Sequence, residues 1–406
     1  MKVLQINNVF NSGSTGKITA DIHSELLENG IESIVCYGRG KQTEKENVYK
    51  VCSEKAAKIN SGLAQLTGIE YIALPFSLKK VISIIKKEKP DIVHLQCING
   101  FFINIYALIR WLNKNGIKTV MTLHAEFMFT ANCPHSFNCV SWQTKASCRS
   151  CNRYKEATHS LFFNNTRLSF SKLSKSFEGF GDNLTVVSVS PWLCERSKKS
   201  YILGEMKNIM ILNGIDTDIF KPCTFESKKE RKTVLHVTAK FSDAEGNAKG
   251  GSYIIALAER MPDVDFTVVA KVTDLQTENL PENIKIISDI GSNELARLYS
   301  ASDLSVITSR RETFSMPVAE SLCCGTPVVG FRAGGPEAIA IQEYSEFADY
   351  GDINGLEAAV RKMLSDFSES DRKRISESAA SVYSKNNMTK NYISVYKELL
   401  SRKQQK

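Results

Sequence analysis

The sequence predicts an α/β protein with two doubly wound domains, each a parallel sheet covered by helices on both faces. Its 406 residues exceed the usual size of one compact domain, so two domains are expected. Short apolar runs alternate with amphipathic stretches of helical period along most of the chain, which is typical of parallel sheets. No apolar run approaches the roughly 18 residues of a membrane span, and no repeat of roughly 20–50 residues indicates a solenoid.

The first series of strands and helices occupies residues 1–205 and predicts the N-terminal domain. Gly30 follows the first helical pattern, as expected of the residue after a helix C-terminus. The predicted strands are residues 3–6, 31–37, 92–95 and 118–123. The predicted helices are residues 18–29, 78–89 and 104–114.

The second series occupies residues 206–384 and predicts the C-terminal domain, after a polar junction near residues 196–208. The pattern does not assign a last helix, within residues 385–406, to either domain. The predicted strands are residues 208–212, 233–237, 265–269, 284–287, 304–307 and 327–331. The other predicted helices are residues 294–300 and 355–365. Ligands are expected in a cleft at the carboxyl ends of both sheets.

Charge and composition restrict the function only loosely. The net charge of +8, from 52 Lys and Arg against 44 Asp and Glu, suits an anionic substrate, an anionic membrane or nucleic acid without choosing among them. The N-terminus lacks the apolar core of a signal peptide, so a cytoplasmic protein is expected. Its 11 cysteines are then expected to be mostly reduced.

Two glutamates bracket a predicted helix start in the segment Glu312-Thr-Phe-Ser-Met-Pro-Val-Ala-Glu320. The segment follows the predicted strand at residues 304–307, Pro317 suits a first helical turn, and Gly325 ends the helix. A helix N-terminus here directs backbone N–H groups towards an anion such as a diphosphate. The residues that supply these groups are Phe314, Ser315 and Met316. Two ordinary carboxylates favoured by the helix dipole are the alternative.

Three more polar side chains lie at or just beyond predicted strand ends. Lys240 follows the strand at residues 233–237, and Lys249 follows the next loop. Two ammonium groups beside a diphosphate would stabilise the charge of a departing nucleotide without a metal. His124 ends the strand at residues 118–123, where a neutral histidine can hydrogen-bond a donor sugar. The alternatives are solvated surface lysines and a half-buried histidine with satisfied hydrogen bonds.

The segment Gly13-Ser-Thr-Gly-Lys superficially resembles a phosphate-binding P-loop. The P-loop pattern requires glycine where Asn11 stands and serine or threonine where Ile18 stands, which argues against a kinase or ATPase. We instead predict a flexible loop in which Gly13, Ser14 and Gly16 bring the backbone close to a phosphate or a sugar.

Four cysteines lie close together in the sequence: Cys133, Cys139, Cys148 and Cys151. Two residues separate the last pair, as in a metal knuckle, whereas the first pair is more widely spaced. A structural, tetrahedral zinc held by four thiolates and four packed thiols without a metal both fit this spacing. Catalytic zinc is not expected, because four thiolates leave no open position on the metal.

Residues 79–89 form a basic amphipathic stretch that begins with two lysines. Such a helix can contact anionic lipid while an enzyme works on a lipid-linked substrate. A helix that covers the sheet with its lysines in solvent is the alternative.

Together these features resemble the retaining glycosyltransferases of family 4, which have the GT-B fold. The two glutamates separated by seven residues resemble the signature of that family. Other similar segments lie in the same order at residues 7–16, 91–94, 122–124, 188–192, 213–222, 240, 249–250 and 333–337. The cysteines with Trp142 resemble a bacterial subset of exopolysaccharide, O-antigen and colanic-acid type, with a Cys-rich insert at about residues 125–155 on the acceptor side.

The resemblance implies two Rossmann-like domains facing a central cleft and transfer with retention of anomeric configuration. The donor would be a nucleoside-diphosphate sugar of hexose type. The acceptor would be a saccharide linked to polyprenyl diphosphate, in bacterial surface polysaccharide biosynthesis. Catalysis would need no metal or other cofactor, and nucleic acid would not be a partner. The protein would act in the cytoplasm, in peripheral contact with the inner membrane.

The resemblance also implies a role for each candidate residue. Glu320 would bind the ribose, while Glu312 and His124 would orient the sugar. The catalytic candidates are Glu312, His124 and Lys249. The donor-binding candidates are Gly13, Ser14, Gly16, Lys240, Lys249, Phe314, Ser315, Met316 and Glu320. The family often has arginine where Lys240 stands and aspartate where Ala125 stands, so the contacts at these positions differ here.

Two other functions fit parts of the sequence. A nucleotide-sugar 2-epimerase has the same fold but would not need the Cys-rich insert. A non-enzymatic, zinc-stabilised interaction protein would explain the cysteines but would leave the glutamates and lysines without a function. Stabilisation of the protein by a nucleotide argues against the interaction protein.

Overall fold

A computed structural model of the chain describes residues 1–145, 148, 151–223, 230–244, 246–272, 280–288 and 290–402. The chain divides into two units. The first contains Met1–Ile211 and Met388–Lys406, and the second contains Leu212–Asn387. Each unit is built on one parallel sheet, which confirms the predicted fold class of two doubly wound domains.

The first unit begins with a strand and a helix that set the pattern for the rest. Its strands are β1 (Lys2–Val9), β2 (Glu32–Arg39), β3 (Val48–Lys50), β4 (Ile92–Leu95), β5 (Thr119–Leu123), β6 (Leu184–Ser188) and β7 (Lys207–Met210). Among the described residues they form one sheet in the order β3-β2-β1-β4-β5-β6-β7. Its helices include α1 (Gly13–Glu28), α2 (Glu54–Thr67), α3 (Pro75–Glu88), α4 (Ile105–Lys114), α5 (Phe127–Thr130), α6 (Tyr154–Thr158), α7 (Thr166–Phe177) and α8 (Pro191–Lys198).

The second unit repeats the pattern. Its strands are β8 (Lys232–Phe241), β9 (Val264–Val272), β10 (Ile284–Ile287), β11 (Leu304–Ile307), β12 (Val328–Phe331) and β13 (Ser345–Ala348), in the order β10-β9-β8-β11-β12-β13 across the described sheet. Its helices include α9 (Gly251–Arg260), α10 (Ser292–Ala301), α11 (Met316–Cys323), α12 (Gly335–Ile339), α13 (Ile353–Asp366) and α14 (Asp371–Tyr383).

Both sheets reverse their strand order near the middle, between β1 and β4 in the first and between β8 and β11 in the second. Open α/β sheets bind ligands outside the carboxyl ends of the strands at such a point. The residues that follow β4, β8 and β11 are therefore placed where ligand binding is expected.

The local sequence explains why the helices lie as they do. In α3, Ser77, Val81 and Ile85 recur every fourth residue and are buried, so its lysines are exposed as in a helix that covers a sheet. Asn104 caps α4, since its side-chain oxygen accepts a hydrogen bond from the Ala107 N–H at 3.0 Å.

The predicted boundary between the two domains differs from the structure. The strand predicted at residues 208–212, as the start of the second domain, is β7, which pairs with β6 in the first sheet through Thr185 and Lys207. The first unit therefore extends to Ile211, beyond the predicted end at residue 205. A short apolar run identifies a strand but does not show to which sheet the strand belongs.

The last helix, α15 (Lys385–Ser401), joins the first unit from Met388 onward. Lys118 donates a hydrogen bond from Nζ to the Leu399 carbonyl at 2.6 Å, and the Tyr392 and Thr122 hydroxyls lie 2.8 Å apart. The apolar pattern of the helix could not select between the units, whereas these contacts do. Of the helices in the described part of the chain, none has both the length and the apolar content needed to cross a bilayer.

Candidate functional site

Lys249 and Glu312, predicted separately from two loops, are in contact. The Lys249 ammonium donates a hydrogen bond to Glu312 Oε1 at 2.5 Å. Both side chains are partly exposed, at 38% for Lys249 and 22% for Glu312, so a ligand can reach the pair. Lys249 follows β8 and Glu312 follows β11, the two strands beside the reversal of strand order. The structure thus places a cation and an anion at the expected ligand-binding edge of the second sheet.

The backbone holds Lys249 in position from two sides. Its own N–H donates to Asn247 Oδ1 at 2.8 Å, and its carbonyl accepts from the Thr308 hydroxyl at 3.0 Å. Gly250 has φ +67°, and a Cβ there would lie 2.2 Å from the Thr308 carbonyl oxygen, so only glycine fits beside Lys249. The loops after β8 and β11 therefore pack directly against each other.

Glu312 is held by the loop that follows β12. Its N–H donates to the Ala333 carbonyl at 3.1 Å, and its carbonyl accepts from the Gly335 N–H at 2.9 Å. The Glu337 carboxylate in turn accepts from the N–H groups of Ala333 and Gly334 at 2.9 and 2.8 Å. Sequence reasoning missed Glu337 as a positioning group, although it lies three residues after Gly334, at the spacing of a helix capping box.

The helix predicted between the two glutamates is α11, with Pro317 in its first turn and Gly325, at φ +77°, just after its end. Phe314 and Ser315 are buried immediately before it. Ser315 has φ +81°, a left-handed conformation. Such a conformation costs a non-glycine residue about 1–3 kcal/mol, and residues that adopt it are concentrated at functional sites. The predicted anion-binding N–H groups of residues 314–316 thus lie at a strained helix N-terminus beside Glu312.

Glu320 and Lys240 complete the predicted donor-binding set in the second unit. Glu320 lies on α11 and its carboxylate accepts from the Tyr299 hydroxyl at 3.2 Å. Burial raises the pKa of Tyr299, and the negative charge of Glu320 raises it further. The Tyr299 hydroxyl therefore keeps its proton and donates a hydrogen bond to Glu320. Lys240 is exposed near the end of β8, in register with Lys271 of β9. The roles predicted for both residues stay predictions.

His124 directly follows β5 in the first unit and is part of a buried hydrogen-bond network. Its Nε2 lies 2.9 Å from Gln96 Oε1, and the Gln96 amide nitrogen donates to Gln5 Oε1 at 3.2 Å. With the amide so oriented, its oxygen only accepts, so the His124 proton is on Nε2 and Nδ1 is the acceptor nitrogen. Burial lowers the pKa of His124 to about 4, which keeps the ring neutral at physiological pH.

The network continues through His94 to the last helix. His94 Nε2 lies 2.8 Å from the Thr122 hydroxyl, and its Nδ1 lies 2.7 Å from the Tyr396 hydroxyl. Burial lowers the pKa of His94 to about 3, with a smaller contribution from His124. Sequence reasoning missed Gln96 and Tyr396, although Gln96 directly follows the predicted strand that carries His94.

The segment predicted as a flexible loop at Gly13, Ser14 and Gly16 is instead the first turn of α1. The Asn7 amide explains its position, since it donates to the carbonyls of Val9 and Thr15 at 2.7 and 3.1 Å. The prediction of a flexible loop is therefore wrong. The candidate N–H groups belong to a helix N-terminus near the end of β1.

Cys133 lies near the other three cysteines of the Cys-rich segment. Burial raises the pKa of Cys133 to about 12, and the neighbouring thiols of Cys151, Cys148 and Cys139 add to this effect. In the described ranges, no group of three or more His, Cys, Asp or Glu side chains is arranged to hold a metal ion. Residues 146, 147, 149 and 150 of the predicted insert lie outside these ranges. The structural zinc stays a prediction.

A buried ion pair attaches this segment to α8. The Glu126 side chain is fully buried and accepts hydrogen bonds from Arg196 Nε and from the Ser136 N–H. The Arg196 guanidinium lies 4.8 Å from the Trp142 ring centre and 4.9 Å from that of Trp192. Arg196 therefore holds the segment by charge and by cation–π contacts.

We expect the protein to lose stability on acidification below about pH 6.5, the usual pKa of histidine in an unfolded chain. Burial lowers the pKa of His94 to about 3 and those of His124 and His236 to about 4. Between these values and about 6.5 the unfolded chain binds protons that the folded chain does not, so the free energy of unfolding falls as pH falls.

The expected loss is on the order of a few kcal/mol per buried histidine. Melting temperature measured from pH 7 to pH 4 tests it. His236→Asn should make the acid slope shallower, and the exposed His159→Gln should leave it unchanged. A melting temperature that does not change across this range contradicts the prediction.

Two family models match the chain. Glycosyltransferase Family 4 matches residues 15–219, about half of the 406 residues, and Glycosyl transferases group 1 matches residues 269–382. A protein of Escherichia coli (strain K12), named as a colanic acid biosynthesis glycosyl transferase, is 20% identical over 432 aligned residues, covering 98% of this chain and 100% of that protein.

Solved structures with the same fold include two bacterial proteins. Sucrose-phosphate synthase from Thermosynechococcus elongatus superposes with a TM-score of 0.68 at 15% identity, covering 99% of both chains. HepE from Anabaena, in complex with UDP, superposes with a TM-score of 0.65 at 15% identity, covering 98% of this chain and 100% of that one. At this identity the likeness concerns the fold.

Proposed function

The chain belongs to glycosyltransferase family 4 and is a glycosyltransferase of the GT-B fold, and we propose that it transfers a hexose-type sugar from a nucleoside-diphosphate sugar to a saccharide, with retention of configuration. The observation that carries the proposal is the contact between Lys249 and Glu312 at the ligand-binding edge of the second sheet. The start of α11, four residues after Glu312, adds a second source of positive potential there.

In the proposed reaction, the bond from the anomeric carbon to the diphosphate oxygen breaks, and a bond to the acceptor hydroxyl oxygen forms on the same face of the sugar. The hydroxyl proton passes to an oxygen of the departing diphosphate, so the step needs no protein base. Negative charge grows on the departing diphosphate, where the Lys249 ammonium and the N-terminus of α11 stabilise it without a metal. Glu312 holds that ammonium and can accept a hydrogen bond from a sugar hydroxyl.

The proposed donor is supported by the solved complexes of HepE with UDP and with UDP-glucose. We therefore choose uridine nucleotides as the first donors to test, with guanosine nucleotides second. Glu320, hydrogen-bonded to Tyr299, is the proposed ribose ligand. His124, neutral and with its tautomer set by Gln96, is the proposed hydrogen-bonding partner of the sugar.

The proposed acceptor is a saccharide linked to polyprenyl diphosphate, in bacterial surface polysaccharide biosynthesis. The name of the Escherichia coli relative, in colanic acid biosynthesis, supports this pathway class. Such an acceptor remains attached to the inner membrane, so peripheral contact of the enzyme with the cytoplasmic face is part of the proposal.

We expect UDP or GDP to raise the melting temperature by several degrees, because a ligand at about 100 times its Kd adds about 2.7 kcal/mol of stability. Lys249→Ala should lose most of this shift. Lys285→Ala, an exposed lysine on β10, is the matched control and should retain it.

The alternatives give different results in the same assays. No shift with any nucleotide would favour a non-enzymatic interaction protein. A nucleotide sugar that changes configuration at C2, with no transfer to any acceptor, would favour a 2-epimerase. For the cysteines we propose a structural role, and the zinc content of the purified protein distinguishes zinc ligands from packed thiols.

A further inference from the structure

Large exposed apolar side chains gather in one part of the first unit, around α2, the start of α3 and the segment before α7. They are Ile59, Leu66, Leu74, Phe76, Leu161, Phe162 and Phe163, called the apolar surface below. The three phenylalanines are the most exposed, at 70% for Phe76, 65% for Phe162 and 57% for Phe163. Exposed aromatic clusters of this kind are unusual on a monomeric protein and mark interaction sites.

Backbone contacts bring these residues together. The Leu161 N–H donates to the Gln65 carbonyl at 2.9 Å, which places residues 161–163 beside Leu66 at the end of α2. The Leu74 N–H donates to Asn60 Oδ1 at 2.9 Å, which places the start of α3 beside Ile59. Ile59 and Leu66 lie two turns apart on the same face of α2.

The aromatic segment is held in place by its backbone. Gly68 has φ +65°, and a Cβ there would lie 2.1 Å from the Phe163 carbonyl oxygen, so glycine allows the segment to pack against the end of α2. The Asn165 amide donates to the Thr67 carbonyl at 2.7 Å, which fixes the chain two residues after Phe163. Phe162 and Phe163 are therefore presented to solvent from an anchored backbone.

Four exposed cationic side chains border the apolar surface. Lys55 and Lys58 are exposed on α2 next to Ile59, and Lys79 is exposed one turn after Phe76. Arg167 is exposed at the start of α7. Of the nearby acidic residues, Glu70 is buried, and burial raises the pKa of its carboxyl to about 8. Glu54 and Glu156 are more exposed but are paired with Arg39 and Arg153.

We propose that the apolar surface docks on a bilayer that contains anionic lipid. Aromatic and aliphatic side chains enter the interfacial region of a bilayer, and lysines at the same depth contact the anionic headgroups. This chemistry favours a lipid surface over a protein partner, because exposed cationic side chains on α2, α3 and α7 border the apolar side chains. The inference rests on the proposed function for its purpose, which is to bring the enzyme to a lipid-linked acceptor.

Only part of the basic stretch of α3 contributes to the proposed docking surface. Its buried face carries Ser77, Val81 and Ile85, and only its start, with Phe76 and Lys79, borders the apolar surface. The sequence pattern predicts the exposed lysines of α3 as a candidate lipid contact. The phenylalanines before α7 are separated from these lysines by about a third of the residues of the first unit, and only the fold brings the two segments to one surface.

Sedimentation of the full chain with vesicles tests the proposal. We expect binding to vesicles of phosphatidylcholine with phosphatidylglycerol, weaker binding to phosphatidylcholine alone, and a decrease with added salt. Phe162→Ser with Phe163→Ser should weaken binding at least tenfold, and Lys55→Gln with Lys58→Gln should remove the preference for anionic lipid. Val382→Ser, an exposed apolar residue on α14, is the control and should bind as the wild type does.

Wild-type protein that does not sediment with any vesicle overturns the proposal, as does full binding by the double phenylalanine variant. Self-association that the double variant abolishes, without vesicle binding, would assign the surface to a second copy of the chain instead. Nucleotide-induced stabilisation is measured on the same samples. A nucleotide shift without vesicle binding contradicts only the docking surface, whereas vesicle binding without a nucleotide shift contradicts the proposed function.

Discussion

Glu312→Gln is expected to lower kcat by about 100- to 1,000-fold, the usual effect of removing one group that stabilises charge in the transition state. The carboxylate contacts the Lys249 ammonium at 2.5 Å, so the neutral amide both releases that cation and changes the proposed contact with the sugar. Lys249→Ala should have an effect of similar size. The double variant should lose much less than the product of the two single losses, because both residues act as one unit.

The measurement is transfer or donor hydrolysis under saturating nucleotide sugar. Glu294→Gln, which alters an exposed carboxylate on α10 in the same unit, is the matched control and should retain wild-type kcat. Circular dichroism should be unchanged in every variant, since Lys249 and Glu312 are both partly exposed. Full activity of either single variant would contradict the assignment of the site.

Arg196→Ala is expected to destabilise the first unit by about 3–5 kcal/mol, because it leaves the buried Glu126 carboxylate without its cation. It also removes the cation–π contacts with Trp142 and Trp192. The change should lower the melting temperature and alter tryptophan emission early in unfolding. Glu126→Gln together with Arg196→Met should recover part of the loss, since neither charge then remains buried.

Lys198→Ala provides the control on the same helix. Lys198 pairs with Glu195 at 3.0 Å, but both side chains are largely exposed, and exposed pairs contribute little to stability. A melting temperature of Arg196→Ala equal to that of Lys198→Ala would show that the buried pair does not hold the Cys-rich segment.

Much of the fold could be predicted because its signals are local. The strands predicted at residues 92–95, 284–287 and 304–307 match β4, β10 and β11, since short apolar runs between helical patterns indicate parallel strands. β4 and β11 are buried throughout, whereas β10 is a partly exposed edge strand. The bounds of α11 follow from Pro317 and Gly325, whose backbone preferences act within one turn. The start of α1 was placed too late, because Gly13 and Gly16 favour a loop when tertiary contacts are not considered.

The candidate site was predicted only in part. The positions of Lys249 and Glu312 after predicted strands identify both residues. They do not show that the two side chains are in contact. Glu337, in the first turn of α12, has the local spacing of a helix capping box, and Gln96 directly follows the strand that carries His94. Neither local position shows which loop or ring the side chain supports. A carboxylate or an amide becomes a positioning group only when folding brings a particular N–H or ring nitrogen within reach.

By itself, the sequence determined the alternation of strands and helices, the two-domain α/β class, and the glutamates and lysines that carry the resemblance to family 4 glycosyltransferases. The tertiary structure decided that β7 and α15 belong to the first unit, that Tyr396 reaches His94 across 302 residues, and that exposed phenylalanines meet lysines on one surface. Periodicity shows which face of an element is buried. It does not show which distant element covers that face, and that choice depends on packing over the whole unit.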